Sequence, residues 1–134
     1  MSDHPPLSDH AALSGHAPPG PELWASIDAL WEWLDSSRPI DGPEGVLLRI
    51  LKLNEEVGEV AEAVIGATGQ NPRKGVTHTW DDVQSELCDV AVTALVALRT
   101  LTPDAREVFA RHLERVTRRS RTPSRPLRSP ADSP

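Results

Sequence analysis

From residue 22 to residue 120, apolar side chains recur every three or four positions, the period of one face of an α-helix. Residues 22–37 place Leu23, Ile27, Leu30, Trp31 and Leu34 on such a face. They stop at Ser36-Ser37-Arg38-Pro39, where the proline ring turns the preceding residue away from helix. Asp41 followed by Glu44 has the form of a capping box. It predicts a second helix over 44–67, with Val46, Ile50, Leu53, Val57, Val60 and Val64 as the inward stripe. Gly66 and Gly69 are stop residues, and Asn71-Pro72 and Lys74-Gly75 mark 68–78 as a loop. Thr79 and Asp82 form another capping box, opening a helix that runs to about Leu101. Thr102-Pro103-Asp104 then supplies a cap, a first-turn proline and an acid suited to a helix N-terminus. The fourth helix is expected over 103–119, with Ala105, Val108, Phe109, His112, Leu113 and Val116 as its stripe. No segment alternates with period two for long enough to predict a strand. The expected fold is all-α, a bundle of four helices.

Composition sharpens the boundaries. Of the 13 prolines, five fall in residues 1–21 and four in 123–134. These ends offer few apolar side chains to offset an ordering cost of about 1–2 kcal/mol per residue. Disordered tails are therefore expected over 1–21 and 121–134, around a folded domain at 22–120. No apolar run reaches the roughly 18 residues of a membrane span, and the first twenty residues lack the apolar core of a secretory signal. The lone cysteine, Cys88, excludes a disulfide scaffold or a Cys-based zinc site within one chain and is expected as a small buried hydrophobe. A reducing, cytoplasmic setting follows, and a body this small favours self-association.

Charge changes the picture more. The net charge of −6 divides into −2 over residues 1–21, −9 over 22–89 and +5 over 90–134. The arginine-rich end includes Arg121, Arg125 and Arg128 among Pro and Ser, too sparse a pattern to predict nucleic-acid binding. Arg111, Arg115, Arg118 and Arg119 read first as a solvated helix face. His4, His10 and His16 lie in the N-terminal tail and suggest no metal tract.

The acids of the middle region are arranged in pairs. Glu56 and Glu59 are three apart, as are Glu86 and Asp89, so each pair shares one helix face. Lys52 is the only base near the first pair. Asp89 stands in LCDVAVTALVAL, where Thr93 is the only other polar residue, so its carboxylate is expected to be buried. A buried carboxylate requires a partner or a metal. If the second and third helices form an antiparallel hairpin, Glu56, Glu59, Glu86 and Asp89 converge, and divalent cations offset their repulsion. All-oxygen ligation suits Mg²⁺, or Mn²⁺, rather than zinc or copper. The alternative is a set of surface acids with Asp89 paired to Arg99 or Arg115.

Glu55-Glu56-Val57-Gly58-Glu59, 26 residues, then Glu86-Leu87-Cys88-Asp89 resembles the EExxE…ExxD signature of the MazG-like, all-α nucleoside triphosphate pyrophosphohydrolases. The resemblance covers roughly residues 22–120. It implies a helical bundle that assembles as a homodimer or homotetramer, with Mg²⁺ held by Glu56, Glu59, Glu86 and Asp89. It also implies cleavage of a (d)NTP to the monophosphate and pyrophosphate. Glu55 matches the first acid of the motif, a candidate to orient or deprotonate the attacking water. Lys52 occupies a place where such proteins often carry a base, and is a candidate to meet a phosphate or restrain Glu56. Arg73 and Lys74, in the loop before the third helix, are candidates to contact the triphosphate. The rival reading is a helical oligomerisation or regulatory module that binds nucleotide or metal without turnover.

Overall fold

A computed structural model describes residues 21–37 and 39–121. The expectations placed on the two tails lie outside these residues, Arg121 excepted. The described chain forms four helices: α1 (Pro21–Ser37), α2 (Gly42–Thr68), α3 (Trp80–Leu101) and α4 (Ala105–Ser120). No strand occurs among the described residues, and no helix is long and apolar enough to cross a membrane.

α2 and α3 are the structural axis and share the largest packing surface, with α1 laid against α3. They run antiparallel. Arg49, early in α2, donates to Thr100 near the end of α3 at 3.1 Å, while Gly66, late in α2, accepts from the Thr77 backbone N–H just before α3 at 3.0 Å. The turn between them depends on glycine at two places. Gly69 closes α2 in the left-handed region (φ 64°), its N–H donating to the Ile65 carbonyl. Gly66 lets the loop approach so closely that a Cβ there would collide with the His78 ring.

The Thr79–Asp82 capping box is present in full: the Asp82 N–H donates to Thr79 Oγ1 at 3.2 Å and the Thr79 N–H to Asp82 Oδ2 at 2.7 Å. The Asp41–Glu44 box does not form. α2 opens instead through Gly42 at φ 68°, and the Asp41 side chain makes no cap bond. α4 begins at Ala105, later than its sequence suggests. Thr102 is the C-cap of α3, its hydroxyl accepting from the Asp104 N–H at 3.1 Å.

The core is small: Ile27 of α1, Ala63 of α2, Val83, Val96 and Ala97 of α3, and Ala105 of α4. On α2 the expected stripe is half-buried at Val46, Ile50, Leu53, Val60 and Val64 and departs only at Val57. Val57 is 53% exposed, whereas Glu56 is 7% exposed beside the buried Ala63. α1 is fastened polarly as well: Arg99 donates to Asp28 at 2.7 Å and lies 4.2 Å above the Trp31 ring.

Candidate metal centre

α2 presents Glu56 to Glu86 and Asp89 of α3. One carboxylate oxygen from each lies within 4.8 Å of the other two. Oxygen ligands on opposite sides of a Mg²⁺ or Ca²⁺ ion stand roughly 4–5 Å apart, given metal–oxygen distances of about 2.0–2.6 Å. Their donor type suits a hard divalent cation, and the three are close enough together to form a group that could hold one.

Burial falls off across the set. Glu56 is buried, Glu86 half-buried and Asp89 exposed. The expected burial of Asp89 is thus corrected, and that of Cys88 with it, which is exposed and free. Leu87, Cys88 and Asp89 are all exposed. Neither suggested arginine neutralises Asp89: Arg99 is paired with Asp28, and Arg115 bonds to His112 Nδ1 at 2.6 Å. The buried acid of the set is Glu56.

Glu56 has a cation of its own. Lys52 Nζ lies 2.8 Å from Glu56 and 3.1 Å from Glu55, one helical turn away. The hydrogen bond from Lys52 holds the Glu56 carboxyl below its ordinary value against the opposing effect of burial, with Glu59 and Thr93 adding smaller hydrogen-bonding contributions. Lys52 is raised in turn, by its hydrogen bonds to Glu56 and then Glu55. Of the two roles expected for Lys52, restraint of Glu56 is the one this geometry displays.

Glu59 is exposed and stands outside the three-residue convergence, yet it feels the charges of both Glu56 and Glu86. Partial loss of hydration, then these two like charges, push its carboxyl above the ordinary value. Repulsion of this kind is the electrostatic signature of a cluster short of positive charge. Glu55 remains at the rim, bound to Lys52. Arg73 and Lys74 are exposed in the loop, where Lys74 lines a cleft with Glu62 and Asn71 at the C-terminal half of α2. Among the described residues, neither base forms an ion pair with the three converging carboxylates. Thr93, one turn beyond Asp89, is the site residue that motif spacing missed. Its isolation as a polar group in an apolar run was the available signal.

No protein-family model, curated protein or solved structure matches the chain. What the site can do rests on its own chemistry: a three-carboxylate, all-oxygen donor set, a fourth acid held under repulsion, and one lysine fixing the buried member.

Proposed function

We propose that the chain is a Mg²⁺-dependent nucleoside triphosphate pyrophosphohydrolase, cleaving (d)NTP to (d)NMP and pyrophosphate. The observation that carries this reading is the convergence of Glu56, Glu86 and Asp89 from two helices, with Glu59 alongside. Glu56, Glu86 and Asp89 hold the ion, Glu59 completes the set, and Mn²⁺ is the natural substitute. When bound, the cation neutralises phosphate charge and lowers the pKa of water at the site. Lys52 keeps Glu56 ionised and aimed at α3. Glu55, at the solvent edge one residue from the buried ligand, is placed to orient or accept a proton from water. No Ser, Cys or His nucleophile is needed, because phosphoryl transfer demands chiefly positioning and electrostatics.

Assembly as a homodimer or homotetramer belongs to the same proposal. Leu47, Leu51 and Ile65 on α2 and Leu87 and Leu101 on α3 are each about half exposed or more, leaving the hairpin with an apolar outer face for a second copy.

The test is a panel of NTPs and dNTPs with and without Mg²⁺, assayed for pyrophosphate. Metal-dependent pyrophosphate from at least one substrate is the expected result; none from any substrate overturns it, and orthophosphate indicates a phosphatase instead. Replacing Glu59 and Asp89 by Ala separates enzyme from regulatory module. An enzyme loses turnover and keeps its fold, whereas a structural ion-pair role predicts a lower Tm and no catalytic effect.

A further inference from the structure

Lys52 serves two carboxylates that differ in their surroundings. Its ammonium lies 2.8 Å from Glu56, whose side chain is 9% exposed, and 3.1 Å from Glu55, whose side chain is 62% exposed. The lysine side chain is itself 51% exposed, one turn before both acids on α2. Glu56 is also the acid that α2 presents to Glu86 and Asp89. The lysine and the divalent ion of the proposed function therefore draw on one buried carboxylate.

Magnitudes decide how the two share it. A divalent ion carries twice the charge of an ammonium and would draw on Glu86 and Asp89 in addition. It also repels the lysine beside it, with twice the energy of a monovalent pair at the same separation and dielectric. Against this stands the help Lys52 gives by restraining Glu56, and a half-exposed ion pair on a helix contributes only a little. Repulsion is the larger effect, so the lysine should weaken the ion's hold rather than strengthen it. Lys52 also has an alternative. Glu55 neighbours Glu56 in the chain and already accepts a hydrogen bond from Lys52 at 3.1 Å. A flexible four-carbon stem with three rotatable donors can pass wholly to Glu55 and stay at the solvent edge.

We infer that Lys52 is an internal counter-ion that exchanges with the divalent cation, holding Glu56 while the ion is away and passing to Glu55 when it binds. The inference rests on the proposed metal site and concerns its loading rather than the reaction. Without the ion, Lys52 offsets the mutual repulsion of the acids and keeps Glu56 in place; with the ion bound, the ion does both. A fixed positioning residue predicts the opposite sign, because its removal weakens metal binding.

The experiment is a Mn²⁺ titration read as free ion by electron paramagnetic resonance, with thermal melts of the same proteins in EDTA and in saturating Mn²⁺. Lys52→Met should bind Mn²⁺ at least about fivefold more tightly than wild type, the low end of coupling between two sites. In EDTA it should melt roughly 4 °C or more below wild type, and in saturating Mn²⁺ that gap should close, since both readouts report one linkage. Lys52→Gln repeats the test with a second neutral side chain should Lys52→Met fold poorly. Arg49→Gln is the control: it removes a positive charge one residue short of a turn before Lys52, bonded to Thr100 rather than to Glu56. Its Mn²⁺ affinity should stay within about twofold of wild type.

A smaller gain or a loss of Mn²⁺ affinity in both neutral variants overturns the exchange. So does a melting gap that persists in Mn²⁺, or an equal gain from Arg49→Gln. Wild type that takes up no Mn²⁺ removes the metal site itself, and the exchange with it. Wild type that binds Mn²⁺ while the neutral variants bind it no better removes the exchange alone.

Discussion

The α2–α3 hairpin and α4 each carry an apolar stripe at helical spacing, α4 on a far more polar helix, and they fare very differently. In the hairpin, two helices of 27 and 22 residues pack along their length, and their inward rows carry both core and carboxylates. α4 meets the body only through its first turns: Ala105 is fully buried, Val108 half-buried, and Phe109 meets Trp24 edge-on at 6.0 Å. Every residue from Arg111 to Ser120 is exposed, including Leu113 and Val116 of its apolar stripe. An apolar stripe therefore forecasts a face that wants covering, and says nothing about whether the same chain covers it. The three converging carboxylates all belong to the hairpin.

Perturbations of the two regions should separate accordingly. The largest effect is expected from Glu56→Ala, which removes the buried carboxylate of the proposed metal site and strands Lys52. Loss of a direct ligand should cost no less than the 10–100-fold typical of outer-shell changes, so Mg²⁺-dependent turnover should fall at least about a hundredfold. Next is Gly66→Ala, far from the carboxylates but inside the hairpin turn. The added methyl meets the His78 ring, and overpacking of this kind costs about 1–3 kcal/mol, read as a shift in the denaturation midpoint.

Thr79→Ala should cost about 1 kcal/mol through loss of the N-cap bond. Its partner Asp82 adds a pH signature: hydrogen bonds from the Thr79 backbone and then side chain hold its carboxyl below the ordinary value. A depressed carboxyl contributes stability above the unfolded-state pKa, near 3.9. That contribution is lost as pH falls through the lower folded value. Wild type and Asp82→Asn should thus differ at neutral pH and converge in acid below that value, followed by thermal melts across pH. The smallest effect is assigned to α4: Arg111→Ala with Arg115→Ala should leave turnover within about twofold and Tm nearly unmoved, since both positions are solvent-facing.

The helices were legible in the sequence because their signals are local. Period, breakers and the Thr79 box act within a few residues, and all four elements fall close to their expected bounds. The failures arise where a neighbour decides. Asp41 and Glu44 have the spacing of a cap, but the left-handed Gly42 between them changes the entry of the chain. The rows through Val57 and through Glu56 are adjacent on α2, and spacing alone does not say that Glu56 is buried while Val57 is exposed. The paired acids were legible as a cluster for the same reason as the helices, since three-residue spacing fixes a shared face. Their gradation was not, because burial depends on tertiary neighbours that spacing along one helix does not name.

The central claim, that Glu56, Glu86 and Asp89 bind a divalent cation, is tested most directly by titrating the protein with Mn²⁺ and following free ion by electron paramagnetic resonance. Wild type should sequester Mn²⁺ saturably and release it to Mg²⁺. Asp89→Ala, replaced at an exposed position and expected to keep its helicity, should leave the ion free. Mn²⁺ that stays in solution with the wild-type protein, or that binds Asp89→Ala equally well, would contradict the account.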